Sequence, residues 1–147
     1  MKWKILGTIL LVAASASAAS AQKIYVNSSV NNGDIVGSNF VFQVKEQLRK
    51  SATYVVLDSF DEKSIEINLV TLKDTDGSSA ISVVITMPWS DGGEMIINHQ
   101  ALLVGANRTE EMATSLVASL DDSLSKVRAM IHNNGSTTNT NTAPAHP

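Results

Sequence analysis

The sequence predicts an α+β domain, a mostly antiparallel five-stranded sheet with two helices packed on one face, in the order β-α-β-β-β-β-α. Two segments repeat apolar residues at helical spacing, and five are alternating or rich in β-branched residues. Four of the strand segments follow one another with short polar loops between them, which favours antiparallel pairing. The 147 residues leave room for one domain.

The predicted strands are 22–30, 53–60, 64–72, 79–89 and 94–104. In the first of them, Ile24 and Val26 share one face, the two-residue period of a strand. Asp61-Glu62-Lys63 is short enough for a hairpin loop between the second and third strands. Pro88 marks the end of the fourth strand, because proline lacks the N–H that a ladder needs.

The predicted helices are 38–51 and 107–132. Their apolar stripes are Phe40, Val41, Val44 and Leu48 in the first, and Met112, Leu116, Leu120, Leu124 and Val127 in the second. Ser38 is the predicted N-cap of the first helix. Asn107, with Glu110 three residues later, forms a capping-box pattern at the start of the second.

The beginning of the chain has the three parts of a secretory signal. Met1–Lys4 is basic, Ile5–Ala14 is mostly apolar, and Ser15–Ala21 contains only alanine and serine. We predict cleavage near Ala21, with Ala16-Ser17-Ala18 as a competing site. The alternative, a membrane anchor, needs about 20 apolar residues to span the bilayer, and this run is shorter.

The predicted organisation is a signal peptide at 1–21, one domain at 22–132 and a disordered tail at 133–147. We therefore expect a periplasmic or secreted protein. Removing Lys2 and Lys4 with the signal takes the formal net charge from −3 to −5. An acidic domain without a basic cluster argues against nucleic acid as a partner, and we predict no membrane span in the mature chain. The absence of cysteine excludes a lipid-anchor cysteine and disulfides, and fits a Gram-negative periplasm.

No motif predicts a catalytic, cofactor or metal site. Asp74-Thr75-Asp76-Gly77 resembles the start of a calcium loop, but the twelfth position, where a bidentate acid is needed, is Ile85. We interpret this segment as a turn. Asp58 and Glu66 are placed to face each other across the predicted hairpin, although two such acids are more often simply solvated.

Two residues are candidates for partner binding, Trp89 and His99. Trp89 stands at a predicted hairpin tip, where an exposed aromatic ring is a frequent binding anchor; the alternative is that it folds back on the sheet edge. His99 is the one histidine expected inside the ordered fold. It fits either a half-buried strand histidine bonded to a neighbour or the base of a hydrolytic site.

Lys45–Ser51, followed by the strand Tyr54–Leu57, resembles the first β-α-β of periplasmic assembly domains. These are the amino-terminal domain of the Tol translocation protein and the curli-export and penicillin-binding-protein-activator lipoproteins. Val36–Val56 and Ala80–Thr86 also resemble a family of short exported proteobacterial proteins that is itself uncharacterised. The resemblance covers about a fifth of the chain and includes no catalytic motif. This sequence also lacks the lipid-anchor cysteine of the activators.

The leading hypothesis is a non-enzymatic periplasmic domain that binds a protein in the cell envelope, assists envelope assembly, or self-associates. Some strands have apolar residues on both faces, namely Val70, Val83, Val84, Ile85, Ile96 and Ile97. The second sheet face or a sheet edge is therefore the expected docking surface, the edge by strand addition. The alternatives are a small hydrolase that uses His99 and a small-ligand carrier with its pocket between sheet and helices.

Overall fold

The computed structural model describes residues 21–135. Its elements are β1 (Gln22–Val30), α1 (Ile35–Lys50), β2 (Tyr54–Leu57), β3 (Ile65–Lys73), β4 (Ser78–Pro88), β5 (Glu94–Gly105) and α2 (Thr109–Gly135). The predicted α+β class and the order β-α-β-β-β-β-α are confirmed. Residues 1–20 of the predicted signal peptide and residues 136–147 of the predicted tail lie outside the described residues.

The sheet is mixed, which corrects the expected antiparallel meander. Its strand order is β2-β1-β3-β4-β5. β1 runs parallel to β2 and to β3, while β3–β4 and β4–β5 are antiparallel. Because β1 lies between β2 and β3, the predicted hairpin around Asp61-Glu62-Lys63 is wrong. The physical reason is that α1 carries the chain back along the sheet, so the next strand pairs with β1 in the parallel sense.

The segment 58–64, between β2 and β3, crosses β1 on the face opposite the helices. Lys23 Nζ lies 2.7 Å from Asp61 Oδ2, and the rings of Tyr25 and Phe60 meet edge to face with centroids 5.9 Å apart. Lys23 and Tyr25 alternate with the buried Ile24, so their side chains point away from the helices. Two contacts therefore hold the crossing segment against β1.

Both helices pack on one face of the sheet, as predicted. The shared core includes Ile24, Val26, Ile65, Ile67, Leu69, Ile81, Val83 and Ile85 from the strands, and Phe40, Val44, Leu48, Leu116, Leu120 and Leu124 from the helices. The strand residues follow the two-residue period and the helix residues the predicted stripes. Burying each of these side chains stabilises the fold by about 1.5–3 kcal/mol relative to leaving it exposed.

The first helix begins earlier than predicted, and its N-cap is Asp34 instead of Ser38. The Asp34 carboxylate accepts a hydrogen bond from the backbone N–H of Gly37 at 2.8 Å. Ser38 lies inside the helix, where its hydroxyl donates to the Asp34 carbonyl oxygen at 2.9 Å. Aspartate is as good an N-cap as serine, so propensity alone did not separate the two positions.

The second helix also differs at its ends. Arg108, and not Asn107, occupies the capping position, because its carbonyl oxygen accepts the first helical bond from Met112 N at 3.0 Å. The Arg108 guanidinium pairs with Glu111 at 2.8 Å. The helix continues to Gly135, three residues past the predicted end. Within residues 21–135, neither helix has a stretch long and apolar enough to cross a bilayer.

Candidate functional site

The sheet face opposite the helices, here called the open face, is crossed only by the segment 58–64 in the described part of the chain. Near its middle it is polar, and Asn27 Nδ2 donates to Asn68 Oδ1 at 2.9 Å. Toward the β3–β4 turn it becomes apolar, with Val70, Leu72 and Leu103 exposed. The open face therefore has a group of exposed apolar side chains near the β3–β4 turn, and no helix among the described residues covers it.

β5 forms one edge of the sheet and is twelve residues long, whereas β2 at the other edge has four. A register shift opposite Ile85 and Thr86 leaves Ile97 as an extra residue, a β-bulge. Natural edge strands are usually protected by short length, lysine, proline or a bulge. β5 has the bulge but no lysine and no proline, so beyond Ile97 it offers backbone groups to another strand.

An apolar groove, the Trp89 groove, lies between the start of β5 and the end of α2. Its volume is about 380 Å³, and it is lined by Trp89, Met95, Ile96, Ile97, Val127, Met130 and Ile131. Every lining side chain is apolar. Trp89 is 41% exposed and Ile96 is 63% exposed. A contiguous group of exposed large apolar side chains marks an interaction site more often than isolated ones do.

His99 lies in a neighbouring shallow depression, the β5–α2 seam. It stands opposite Val84 in the strand register and is exposed. The seam has a volume of about 390 Å³ and shares Ile97, Val127 and Met130 with the Trp89 groove. The structure thus places the two predicted partner-binding residues, Trp89 and His99, in adjoining depressions on the β5 side of the molecule.

The seam contains a histidine, serines and a carboxylate, the residue types of a hydrolytic site, but not the hydrogen bonds that such a site needs. Asp122 lines it with His99, but its carboxylate pairs with Lys126 at 2.6 Å. Ser119 and Ser123 both accept hydrogen bonds from Asn98 Nδ2, at 2.8 and 3.1 Å. No hydrogen bond joins His99 to a serine or a carboxylate among the described residues. The Asn98 amide therefore ties β5 to α2, which is a structural role.

The two carboxylates that were placed across a hairpin do not face each other there, because β1 separates β2 from β3. Glu66 accepts instead from Asn27 Nδ2 at 3.3 Å on the open face. Asp58 belongs to the crossing segment. Asp74-Thr75-Asp76-Gly77 forms the β3–β4 turn, as predicted: Asp74 N donates to Ser78 O at 2.9 Å, and Gly77 has a φ of 72°.

The opposite end of the sheet holds a buried polar group, the Asp34 cluster, which the sequence did not predict. Asp34 is 2% exposed and accepts from the Ser79 hydroxyl at 2.7 Å as well as from Gly37 N. Burial alone would raise the pKa of Asp34, but the hydrogen bonds from the Ser79 hydroxyl and the Gly37 N–H lower it overall, with a smaller contribution from the neighbouring Thr71 of β3. The cluster joins the start of α1 to β3 and β4.

A second carboxylate joins β2 to α2. The buried Tyr54 hydroxyl donates to Asp121 Oδ1. Burial, followed by this hydrogen bond, raises the pKa of Tyr54. About two turns further along α2, Arg128 Nη2 donates to Gln22 Oε1 at 2.8 Å. These bonds fix the second half of α2 over the beginning of β1 and β2, next to the Trp89 groove.

Sequence reasoning found Trp89 and the apolar stripe of α2 but not the groove that they form. Met95 and Ile97 of β5 meet Met130 of α2 because β5 lies beside the last turns of α2, which no single segment of the sequence reports. One signal in the sequence is Ile131, an apolar residue that widens the stripe near the end of α2.

In comparisons with protein-family models and with curated proteins, the chain matches none. Its fold class therefore follows from its own structure. The described residues form an α+β domain, a five-stranded mixed sheet with two helices on one face.

Proposed function

We propose that this protein is a non-enzymatic, exported protein-binding domain that accepts a polypeptide along β5, in the periplasm, as an accessory to envelope assembly. The observation that carries the proposal is the Trp89 groove, seven apolar side chains around an opening that lies directly beside a long sheet edge. Export is supported by the signal-like segment at 1–21.

Strand addition suits this arrangement. A segment that pairs with β5 gains main-chain hydrogen bonds, and its alternate side chains point to the helix side of the sheet. On that side they meet the Trp89 groove and the β5–α2 seam. Apolar partner residues are then removed from water against Met130 and Ile131, which are exposed in the isolated domain.

The test is site-specific photo-crosslinking in cells. A photoreactive residue is placed in turn at positions 96, 99, 101 and 103 of β5, and at Val55 on the short edge strand β2 as the matched control. We expect one adduct from all four β5 positions and none from Val55. We also expect the crosslinked residue in the partner to advance along one continuous segment as the β5 position advances, because paired strands keep register.

Mass spectrometry of the adducts identifies the partner, including a second copy of this chain. Adducts at scattered partner positions, or equal adducts from Val55, would contradict strand addition along β5. No adduct from any β5 position would contradict the proposed function itself. A ligand carrier predicts a different result: the thermal midpoint of the purified protein rises with a small apolar molecule that fills the groove, and the adducts are absent.

A further inference from the structure

A second depression, the aromatic cleft, lies on the other side of Trp89, between the crossing segment and the β4–β5 turn. Its volume is about 570 Å³, and its side chains include Phe60, Glu62, Lys63, Trp89, Ser90 and Glu94. One partly exposed aromatic ring comes from each loop. Unlike the Trp89 groove, the aromatic cleft is lined by charged groups as well as apolar ones.

Both walls of the aromatic cleft are held in place before any ligand binds. In the turn, Trp89 N donates to Gly93 O at 2.7 Å, and Gly92 N donates to Trp89 O at 3.1 Å. Gly92 has a φ of 86°, which glycine adopts without strain. On the other wall, the edge-to-face contact with Tyr25 holds the Phe60 ring. A site whose walls are fixed loses little conformational entropy when it binds.

This end of the molecule concentrates negative charge. The crossing segment, the turn and the first residue of β5 carry five carboxylates, on Asp58, Asp61, Glu62, Asp91 and Glu94, against one lysine, Lys63. Their net charge of −4 exceeds the −3 of the whole chain. Only one of the five is neutralised by an ion pair, since Asp61 binds Lys23 at 2.7 Å.

Two of these carboxylates, Glu62 and Glu94, line the aromatic cleft and have no hydrogen bond or ion pair with any described residue. Lys63 also lines the cleft, but it lies beside Asp61, where its charge helps to lower the pKa of that carboxyl after the larger effect of Lys23. The cleft therefore presents two carboxylates without an ion-pair partner among the described residues, together with the Lys63 ammonium, beside two aromatic rings.

Aromatic faces and carboxylates attract the same kind of group, an ammonium or guanidinium ion on an apolar stem. We propose that the aromatic cleft receives a lysine or arginine side chain of the polypeptide that pairs with β5. The inference rests on the proposed function and names the chemistry of its partner. The Trp89 indole lines both depressions, so a strand that runs along β5 past Glu94 reaches the cleft directly.

The experiment uses the full chain with Trp3→Phe, which leaves Trp89 as its single tryptophan. N-acetyl-lysine amide and N-acetyl-arginine amide are titrated against Trp89 fluorescence, and N-acetyl-norleucine amide serves as the uncharged control with a similar stem. We expect saturable changes with the two cations and none with norleucine. We also expect the cation affinity to fall as salt rises, because ions screen exposed charges.

Two variants separate the local carboxylates from the charge of the whole molecule. Glu62→Gln with Glu94→Gln should weaken cation binding by about five-fold or more. Asp76→Asn with Glu110→Gln makes the same change in net charge at the opposite end of the sheet and should leave binding nearly unchanged. Equal binding of norleucine, or equal weakening in both double variants, would overturn the inference.

A free polyamine presents the same ammonium groups, so spermidine is titrated as a further ligand. Spermidine that binds far more tightly than N-acetyl-lysine amide and gives no β5 adducts would assign the cleft to a small cation and overturn both proposals. Adducts along β5 without any cation response would overturn the inference alone. Adducts whose partner segment carries a lysine or arginine beside the residue crosslinked from position 96 would support both.

Discussion

The two ends of the sheet use their carboxylates in opposite ways. At the Asp34 end, one buried carboxylate accepts hydrogen bonds from a helix N-terminus and from β4. At the Trp89 end, Glu62 and Glu94 remain in solvent beside two half-exposed aromatic rings. The first arrangement stabilises the fold, because its donors and acceptor satisfy one another away from water. The second contributes little to stability and is therefore free to bind another molecule.

The largest effect should come from Asp34→Ala. It removes the N-cap of α1 and leaves the buried Ser79 hydroxyl and Gly37 N–H without their acceptor, at a cost of about 3 kcal/mol of unfolding free energy. Asp91→Ala, in the β4–β5 turn, loses one exposed bond from Gly93 N and should cost less than about 0.5 kcal/mol. Urea denaturation of both variants measures the difference, and equal costs would contradict the contrast between the two ends.

Gly37→Ala should cause the next largest loss of unfolding free energy, about 2 kcal/mol. The added methyl group would meet the Asp34 carboxylate and come within 2.6 Å of Thr71 Cβ. The matched control is Gly93→Ala, where the nearest atom is an Asp91 oxygen 3.5 Å from the added carbon. Thermal melts of the two variants compare them directly. A Gly37→Ala protein as stable as Gly93→Ala would show that α1 does not approach β3 so closely.

The Asp34 carboxylate should also make the fold sensitive to acid. Because its pKa is lowered in the folded state, its contribution to stability is complete above the unfolded value, near 3.8, and is lost as the pH falls through the folded pKa. Stability of the wild type should therefore decline more steeply below about pH 4 than that of Asp34→Asn. Urea denaturation measures the unfolding free energy of both proteins at each pH. If the two values fall equally with pH across this range, Asp34 is not the group responsible for the loss of stability in acid.

We expect Tyr54→Phe to lower the unfolding free energy by a smaller amount, about 1 kcal/mol, because the ring stays buried while the hydrogen bond to Asp121 is lost. Tyr25→Phe removes a hydroxyl that makes no hydrogen bond among the described residues and is the control. Calorimetric melting of both proteins tests this step. If Tyr25→Phe destabilised the protein as much as Tyr54→Phe, the hydrogen bond between Tyr54 of β2 and Asp121 of α2 would not be what stabilises the fold.

Much of the fold was predictable because it depends on local periodicity. The stripe Phe40, Val44 and Leu48 and the alternation of Ile24 and Val26 each report a buried face within one segment. The sense of strand pairing was not predictable in the same way. A seven-residue connection such as 58–64 fits a hairpin as well as a crossing over β1, and the parallel pairing of β1 with both β2 and β3 decides between them.

The candidate site was predictable only in part. Trp89 was found because proline, glycine and a lone aromatic residue mark a turn, which is local information. The remaining lining residues come from β5 and from the last turns of α2, and their meeting depends on how β5 packs beside α2, which local sequence does not report. The Asp34 cluster was missed for the same reason, since Asp34 and Ser79 are 45 residues apart in the chain.

The central claim is that the exposed apolar side chains beside β5 bind a partner and do not stabilise the domain. Ile96→Asp in a chain that carries the photoreactive residue at position 103 tests it most directly, because Ile96 is 63% exposed in the isolated domain. We expect the yield of partner adduct to fall by about ten-fold while the thermal midpoint stays within a few degrees of the wild type. An unchanged adduct yield in a folded Ile96→Asp protein would contradict it.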